Sequence, residues 1–357
     1  MGKLKVAILG ATGTVGQRLI SLLENHPYFE VSALAASERS AGRSYDQALS
    51  GRWKMKSPMP ENLKQKQVLS VQDIKAVKEQ ADFVFCAIDL EKKETQDLED
   101  AYAKAEIPVV SNNSAHRWTE DIPMIIPEVN PEHLAIIDQQ KKRLGTKRGF
   151  IVVKPNCSIQ SYVPALAALK NFGLKSAFVT TYQAISGMGK TLAEVPEIND
   201  NIIPLPGEEE KAEKEPLKVL GNYVSDKIEL LNFPISAHCN RVPTEDGHYA
   251  VVCLGFHNKP SAQQILEAWQ SWTPAIQSLK LPSAPKQSLV YLEQADRPQT
   301  KLDRDLDNGM GFSLGRLRPC NLLDYKFNTL SHNTIRGAAG GAILTAELLY
   351  AKGYLGD

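Results

Sequence analysis

A glycine-rich turn close to the start of the chain limits most strongly which folds this sequence can adopt. Residues 10–16 read GATGTVG, between an apolar strand pattern at 3–9 and a helical pattern at 17–23. Glycines let the backbone turn tightly and approach a pyrophosphate, which the N–H groups and dipole of the helix N-terminus then bind. The three features together predict a dinucleotide-binding unit. Its predicted cofactor contacts are Gly10, Thr12, Gly13, Thr14, Val15 and Gly16.

Four further apolar segments in the first half of the chain have the length and composition of buried strands. They cover residues 30–36, 81–88, 107–111 and 149–153. A charged helical stretch at residues 91–105 separates the middle two. Strands that alternate with helices are typical of a parallel sheet joined by right-handed crossovers. We therefore predict an α/β fold that begins with a Rossmann-type domain.

The residues after the second predicted strand bear on which nicotinamide cofactor binds. An acidic side chain there would hydrogen-bond the ribose 2′-hydroxyl of NAD and would repel the 2′-phosphate of NADP. The sequence offers Ser37, Arg39 and Ser40, whose guanidinium and hydroxyl groups suit a 2′-phosphate. Glu38 lies among them and keeps NAD open as an alternative. We predict NADP as the cofactor.

The sequence changes character near residue 150. Beyond it the strand patterns are longer and alternate more strongly, as in residues 177–186 and 248–256. This alternation predicts a second α/β domain with an antiparallel or mixed sheet, and 357 residues are too many for one ordinary core. The last segment is a helical pattern rich in small residues. The predicted domains are a dinucleotide-binding domain at 1–153 completed by 331–357, and a catalytic and dimerisation domain at 154–330.

Charge balance and cysteine content disfavour several classes of function. Lys plus Arg and Asp plus Glu both number 41, so the formal net charge is zero and no overall field attracts nucleic acid or an anionic membrane. No apolar run approaches the roughly 18 residues that a membrane span needs. The five cysteines are scattered without a C-x-x-C pair, which disfavours a disulfide framework or a zinc site. We expect a cytoplasmic protein without a metal.

One cysteine occupies a position at which a nucleophile would be built. Cys157, in the segment KPNCS, follows the predicted strand at 149–153 and precedes an apolar helix pattern at 162–169. The dipole and free N–H groups of a helix N-terminus would stabilise its thiolate. Taken alone, a single cysteine is more often a small buried apolar side chain.

Five short motifs occur in a characteristic order along nearly the whole chain. They are GATGTVG at 10–16, PNCS at 155–158, QAISGMG at 183–189, Arg241 with His248 seven residues later, and RGAAGGA at 336–342. This ordered set resembles the aspartate-semialdehyde dehydrogenases. The D-G-H at 246–248 and the S-x-R-S at 37–40 look closer to the archaeal and fungal branch of that family.

The resemblance implies a role for each matching residue. Cys157 would be the nucleophile, and His248 would act as general acid and base. Arg241 would bind the substrate α-carboxylate, because a guanidinium suits a bidentate carboxylate contact, and Glu215 would meet the α-ammonium. The other implied contacts are Asn156, Gln183, Arg117 and Lys218 for the substrate and its phosphate, and Ser186, Gly187, Gly189 and Asn333 for the cofactor.

The resemblance also implies a reaction. The Cys157 thiolate would attack L-aspartyl 4-phosphate, phosphate would leave from a site at Arg117, and the thioester would accept hydride from NADPH to give aspartate 4-semialdehyde. The reaction is reversible and serves the biosynthesis of lysine, threonine and methionine. The partners implied are small-molecule substrates and further copies of the chain, in a homodimer or homotetramer.

Related activities stay open as alternatives. A malonyl-CoA reductase would share the scaffold but would not need Glu215 for an ammonium group. A non-catalytic NADP-binding protein would not need Cys157. An N-acetyl-glutamyl-phosphate reductase usually has glycine where this chain has Asn156, and a glyceraldehyde-phosphate dehydrogenase would carry S-C-T-T-N.

Three features qualify the resemblance. Ile159 and Gln160 follow the nucleophile motif, where small or hydroxyl residues are more usual. The C-terminal motif reads SHNTIRGAAGG in place of D-N-x-x-x-GAAGG. Glu215 and Lys218 lie in the Glu-, Lys- and Pro-rich stretch 194–230, which by itself predicts a surface excursion with a solvated helix face.

Overall fold

Six parallel strands form the first sheet of the structure, a computed structural model that describes residues 2–356. The strands are β1 Leu4–Leu9, β2 Phe29–Ala36, β3 Val68–Ser70, β4 Phe83–Cys86, β5 Val109–Ser111 and β6 Ile151–Val153. Their order across the sheet is β3-β2-β1-β4-β5-β6. Val6 to Leu9 of β1 are fully buried because helices cover both faces of a parallel sheet. The predicted Rossmann-type sheet is confirmed.

Six helices accompany this sheet. They are α1 Thr14–Leu23, α2 Tyr45–Leu49, α3 Glu61–Lys64, α4 Ile74–Lys78, α5 Lys92–Lys104 and α6 Ile137–Leu144. α1 begins three residues before the predicted start, directly after Gly13. It buries Leu19, Ile20 and Leu23, whose spacing places them on one helix face.

The strands of the second half form a mixed sheet and one small hairpin. They are β7 Leu174–Gln183, β8 Ile203–Pro204, β9 Asn222–Val224, β10 Lys227–Glu229, β11 Ile235–Arg241, β12 His248–Phe256, β13 Leu289–Leu292, β14 Phe312–Pro319 and β15 Tyr325–Ser331. The sheet order is β13-β14-β15-β12-β7-β11-β8, and β9 pairs with β10 separately. β7 runs parallel to β11 and antiparallel to β12, which confirms the predicted mixed sheet.

The remaining helices lie between these strands and at the end of the chain. They are α7 Val163–Ala167, α8 Pro206–Val219, α9 Ala262–Ser271, α10 Thr300–Asp303, α11 Leu306–Gly309 and α12 Gly340–Ala351. α12 shares a core with Ile8 and Phe83 of the parallel sheet. This packing supports our proposal that residues 331–357 complete the first domain. Within residues 2–356 no helix is long and apolar enough to cross a bilayer.

One predicted feature of the second half was wrong, and one alternative is not supported. The apolar pattern at 162–169 is not a long helix, because it holds only the five residues of α7 after a 3₁₀ turn at Ile159–Ser161. The stretch 194–230 is not simply a solvated excursion. Its helix α8 packs against β11 and buries Glu215 and Lys218, since both side chains find polar partners inside the protein.

Candidate active site

The glycine turn between β1 and α1 leaves no room for side chains at two positions. A Cβ atom on Gly10 would lie 2.2 Å from the carbonyl oxygen of Ala87, and Gly10 has a φ of +86°. A Cβ atom on Gly16 would lie 2.3 Å from the carbonyl oxygen of Gly10. The first N–H groups of α1 have no helical acceptors, so the tight turn presents free donors at the start of the helix. This combination fits a bound pyrophosphate.

The turn is joined to the second half of the chain. The hydroxyl of Thr14 donates to the carbonyl of Gly189 at 3.2 Å. Within the first half, the carbonyl of Thr12 accepts from the Gln17 carboxamide at 3.0 Å. Ser186 and Gly187 lie in the 3₁₀ turn that ends at Gly189. Because Gly189 is bonded to Thr14, this 3₁₀ turn faces the first turn of α1. The predicted cofactor residues of the two motifs are therefore neighbours in space.

Solvent-exposed side chains follow the carboxyl end of β2. Ser37 and Arg39 are exposed and Ser40 is half-buried, in a turn closed by a 2.8 Å bond from the Ser40 N–H to the Ser37 carbonyl. The Glu38 carboxylate accepts a hydrogen bond from the Ser70 hydroxyl at the end of β3. Glu38 is thus held toward the neighbouring strand, which weakens the case that it selects NAD.

The predicted nucleophile and the predicted acid–base residue are in contact. Cys157 Sγ lies 3.3 Å from His248 Nε2, although the two residues are 91 positions apart. Cys157 follows β6, and His248 is the first residue of β12, so the ends of strands from both sheets meet here. Together the two side chains form a nucleophile and a hydrogen-bonding ring, the arrangement that cysteine-based acyl transfer requires.

A backbone contact selects the tautomer of His248, and burial favours its neutral form. The N–H of Ala184 donates to His248 Nδ1 at 3.1 Å, so a neutral ring carries its proton on Nε2, facing Cys157. Burial lowers the pKa of His248 well below its ordinary value, and the positive charge of Arg241 lowers it further. The imidazole is therefore neutral at physiological pH.

The surroundings of Cys157 differ from the prediction. A thiolate stabilised by a helix N-terminus was expected, but a 3₁₀ turn follows Cys157 and the short helix α7 begins only at Val163. Burial raises the pKa of the Cys157 thiol, and the nearby charge of Lys154 opposes that rise. The α-helix N-terminus that was predicted next to Cys157 therefore begins six residues further along the chain.

Arg241 ends β11 beside the cysteine and histidine. Its Nη1 donates to the Ala184 carbonyl at 2.7 Å, while its buried Nε has no partner among residues 2–356. Gln183, the register partner of Arg241 on β7, is buried and donates to the Thr181 hydroxyl at 3.4 Å. A guanidinium with an unused buried donor is suited to receive a carboxylate.

A buried ion pair lies on the other side of Cys157. Arg117 Nη1 donates to Glu215 Oε1 at 2.9 Å, and Arg117 Nε donates to the Lys154 carbonyl at 3.0 Å. Glu215 Oε2 accepts from the Asn156 N–H at 2.6 Å, and the Asn156 side chain donates to Glu208 Oε2 at 2.9 Å. Predicted residues from distant segments are thus bonded to one another around the cysteine.

Lys218 lies behind this group. Its ammonium donates to the carbonyls of Arg117, Thr119 and Ile122 at 2.8 to 3.1 Å. Three carbonyl acceptors use all three of its donors, so Lys218 holds the loop that carries Arg117. A direct phosphate contact, as the resemblance implied, would require Lys218 to give up one of these bonds.

A cavity of about 200 Å³ joins the cysteine to the cofactor turn. Asn333, at the start of the C-terminal motif, donates to the Ser186 hydroxyl at 2.9 Å and accepts from the Gly247 N–H at 2.8 Å. It therefore joins the 3₁₀ turn at 185–188 to the turn before His248. Predicted site residues that line the cavity are Val15, Arg117, Asn156, Cys157, Ser186, Gly187 and Asn333.

Three residues of the site were not identified from the sequence. Glu208 lies seven positions before Glu215, and that spacing places both carboxylates on one face of α8. Asn112 follows β5 and lines the cavity with a carboxamide that has no partner among residues 2–356. Lys154 precedes the cysteine motif and also lines the cavity. Only the Glu208 spacing was a usable sequence signal.

Comparison with known proteins identifies both halves of the chain. Residues 5–137 match the NAD binding domain of semialdehyde dehydrogenases, and residues 164–336 match their dimerisation domain. The aspartate-semialdehyde dehydrogenase of Archaeoglobus fulgidus is 42% identical over 345 residues, which cover 96% of this chain and 97% of that protein. The enzyme of Candida albicans is 42% identical over 365 residues, or 98% of each chain.

Solved structures agree with these matches. The crystal structure of aspartate-semialdehyde dehydrogenase with NADP from Candida albicans superposes with a TM-score of 0.89 at 39% identity, covering 99% of this chain and 100% of that one. Aspartate-semialdehyde dehydrogenase II from Vibrio cholerae, at 24% identity and a TM-score of 0.75, shares the fold. This chain belongs to the aspartate-semialdehyde dehydrogenase family.

Proposed function

We propose that this protein catalyses the reversible, NADPH-dependent conversion of L-aspartyl 4-phosphate into L-aspartate 4-semialdehyde and phosphate, through a thioester on Cys157. The observation that carries the proposal is the 3.3 Å contact between Cys157 Sγ and His248 Nε2, beside a cavity that reaches the glycine turn. The relatives named above share this activity by name over the full length of the chain. The reaction would serve the biosynthesis of lysine, threonine and methionine.

The residues of the first domain fit a bound NADP. Gly10 and Gly16 keep the turn tight, so that the free N–H groups of α1 can meet a pyrophosphate, and exposed Arg39 with Ser37 suits a 2′-phosphate. At the other end Val15, Ser186 and Asn333 would surround the nicotinamide next to Cys157. When bound, the cofactor supplies or accepts the hydride.

Two arginines would orient the substrate. The buried Nε donor of Arg241 has no partner in the part of the chain that the structure describes, which fits the α-carboxylate. Arg117 lines the cavity and would hold the phosphate, with Lys218 fixing its loop. Glu215 is already bonded to Arg117 and to the Asn156 N–H, so an α-ammonium would join an existing network. Positioning of this kind places the acyl carbon next to the sulfur.

The two central side chains would then divide the chemistry. Cys157 forms the covalent bond to the acyl carbon, and phosphate is released toward Arg117. His248 presents its Nε2 proton to the oxygen that becomes charged as sulfur adds to the carbonyl. Formation of an imidazolium would set an Nδ1–H against the Ala184 N–H, so hydrogen-bond donation from the neutral ring is the favoured mode.

A homodimer or homotetramer completes the proposal. The second half of the chain matches a dimerisation domain. The outer face of its sheet carries the exposed Phe178 and the half-buried Tyr182 and Tyr249. The ring centroids of Tyr182 and Tyr249 lie 6.2 Å apart. An aromatic sheet face of this kind is suited to a second copy of the chain.

Trapping the acyl-enzyme tests the proposed function. Protein mixed with aspartate 4-semialdehyde and NADP, without phosphate, should gain the mass of one aspartyl group on the peptide that contains Cys157. Cys157→Ala protein should gain none under the same conditions. Wild-type protein that carries the aspartyl group on a residue other than Cys157 would contradict the assignment of the nucleophile. Malonyl-CoA with NADPH, offered in parallel, tests the rival acyl reductase activity.

A further inference from the structure

Lys154 is a buried lysine at the end of β6, three residues before Cys157. Its side chain is 3% exposed, and its ammonium donates to the carbonyls of Pro155, at 2.8 Å, and Gly337. The Gln160 carboxamide supplies a third acceptor when its oxygen faces Lys154, at 3.0 Å, and its nitrogen then donates to the Arg336 carbonyl at 3.2 Å. In the opposite orientation the NH₂ group of Gln160 would face the ammonium, and both groups are donors. The ammonium therefore has three neutral acceptors, on Pro155, Gly337 and Gln160.

The same contacts bring this ammonium to the nucleophile. Gly337, which accepts from Lys154, packs so closely on the cysteine that a Cβ atom on Gly337 would lie 2.9 Å from Cys157 Cβ. Lys154 and Cys157 line one cavity. Among the charges that favour the Cys157 thiolate, that of Lys154 has the largest effect. Burial lowers the pKa of Lys154 to about 7, and a Cys157 thiolate raises it, so the two ionised forms favour each other.

Other charges around the cysteine are largely matched by partners. Arg117 pairs with Glu215, and Arg336 pairs with Glu128 at 2.5 Å. Glu208 pairs with Lys211 at 2.6 Å. Arg241 bonds only to a carbonyl among residues 2–356, but its charge would be met by the substrate carboxylate. The acceptors of Lys154 are neutral, so its protonated form is a cation beside the sulfur without an acidic partner among the described residues.

Two usual ways of stabilising a catalytic thiolate are missing here. No helix begins at Cys157, and the Ala184 N–H keeps His248 neutral rather than an imidazolium. We propose that Lys154 is a positioning residue whose ammonium, fixed by Pro155, Gly337 and Gln160, favours the thiolate of Cys157. The inference takes Cys157 as the nucleophile and in that respect rests on the proposed function.

Alkylation of Cys157 as a function of pH tests this role without any substrate. The rate of iodoacetamide labelling is followed on the peptide that contains Cys157, in wild type, Lys154→Met and Lys154→Arg. We expect Lys154→Met to react about 10-fold more slowly at neutral pH and to reach its full rate at higher pH, because a neighbouring cation lowers a thiol pKa by one or more. Lys154→Arg, which keeps the charge, should stay within about threefold of wild type.

A matched control removes a different lysine. Lys170 is half-buried, donates to the Asn222 side chain at 2.9 Å and lies outside the cavity. Lys170→Met should therefore leave the alkylation profile of Cys157 in place. Superimposable profiles of folded Lys154→Met and wild type would overturn the inference.

A second variant covers the case in which Lys154→Met does not fold. Gln160→Leu removes one acceptor of the ammonium and leaves the lysine, so its profile should move in the same direction by a smaller amount. An unchanged Gln160→Leu profile would then count against the role. Alkylation needs no substrate, so the two proposals can fail separately. If the protein is inactive on aspartate semialdehyde but its Cys157 alkylation depends on Lys154, only the proposed function is contradicted. If the protein is active but its Cys157 alkylation does not depend on Lys154, only this inference is contradicted.

Discussion

At the scale of single residues, the proposed chemistry depends on a cysteine and a histidine that do not form an ion pair. The Ala184 N–H occupies His248 Nδ1 and leaves the proton on Nε2, 3.3 Å from the Cys157 sulfur. Burial disfavours the charged form of both groups. A neutral pair therefore needs a neighbouring charge to stabilise the thiolate, which we assign to Lys154. The same neutral His248 can donate its Nε2 proton in a hydrogen bond to the oxyanion.

Arg241 provides a residue-scale prediction about the substrate. Arg241→Lys should raise the KM for aspartate semialdehyde about 10- to 100-fold, because an ammonium cannot reproduce the bidentate, charge-assisted contact of a guanidinium. The measurement is steady-state kinetics at saturating cofactor and phosphate. Arg143→Lys, at an exposed pair with Asp121, should behave as wild type. An unchanged KM in Arg241→Lys would remove Arg241 from the carboxylate site.

At the scale of elements, the site is built from the ends of strands. Cys157 follows β6, Gln183 and Arg241 end β7 and β11, His248 begins β12, and Asn333 follows β15. Strand ends place side chains next to one another while the hydrogen-bonded sheets hold the backbone rigid. A loop residue on such a scaffold needs few contacts of its own to stay in place.

The element scale also shows what the sequence could predict. Buried strands were found because short apolar runs that end at a glycine turn, such as the one in residues 3–9, favour a strand over a longer helix. The helix after Cys157 was overestimated because Tyr162 to Leu169 are apolar for another reason, namely burial between the two halves of the protein. For Glu215 and Lys218 composition alone left a solvated helix face open as an alternative, because their partners, on Arg117 and its loop, are about 100 positions away. Long-range pairing of this kind leaves no local pattern.

The glycine turn gives an element-scale prediction. In Gly16→Ala the new Cβ would meet the Gly10 carbonyl oxygen at 2.3 Å and Ala11 Cα at 2.8 Å, both of them backbone atoms. We expect a loss of about 1–3 kcal/mol in the free energy of unfolding, from overpacking, and at least about tenfold weaker NADP binding. Urea unfolding and fluorescence titration measure the two effects.

A glycine elsewhere serves as the control for this variant. An added Cβ on Gly207 in α8 would meet no atom of residues 2–356 within 4 Å, apart from its chain neighbours and its own helix backbone. Gly207→Ala should keep NADP affinity and gain up to about 1 kcal/mol of stability, because alanine loses less backbone entropy in a helix. Equal NADP affinity in Gly16→Ala and wild type would contradict the assignment of the turn to the cofactor.

At the scale of the whole molecule, three buried histidines link stability to pH. Burial lowers the pKa of His133 to about 4 and that of His332 to about 4, and it lowers that of His248 well below its ordinary value. An unfolded histidine titrates near 6.5, so the unfolded chain binds protons first as the pH falls from about 6.5 toward 4. The stability that these neutral rings contribute is complete above that window and is lost within it.

Acid sensitivity can therefore be assigned to a single ring. Between pH 7.5 and 5.5 the free energy of unfolding should fall by about 1.4 kcal/mol for His133 alone. His133→Gln should show a pH dependence smaller by that amount, measured by urea unfolding at both values. His257→Gln, at an exposed position, should keep the wild-type dependence. Equal pH dependence in His133→Gln and wild type would show that His133 does not contribute.

The central claim is that Cys157 of this two-domain scaffold oxidises and phosphorylates aspartate semialdehyde with NADP. Its most direct test mixes the protein with L-aspartate 4-semialdehyde, phosphate and NADP and follows the absorbance of NADPH. Parallel reactions omit phosphate, replace NADP with NAD, or use Cys157→Ala protein. We predict a sustained signal that requires phosphate, is stronger with NADP than with NAD, and is absent in Cys157→Ala. Folded wild-type protein that produces no NADPH, or Cys157→Ala protein that produces as much as wild type, would contradict it.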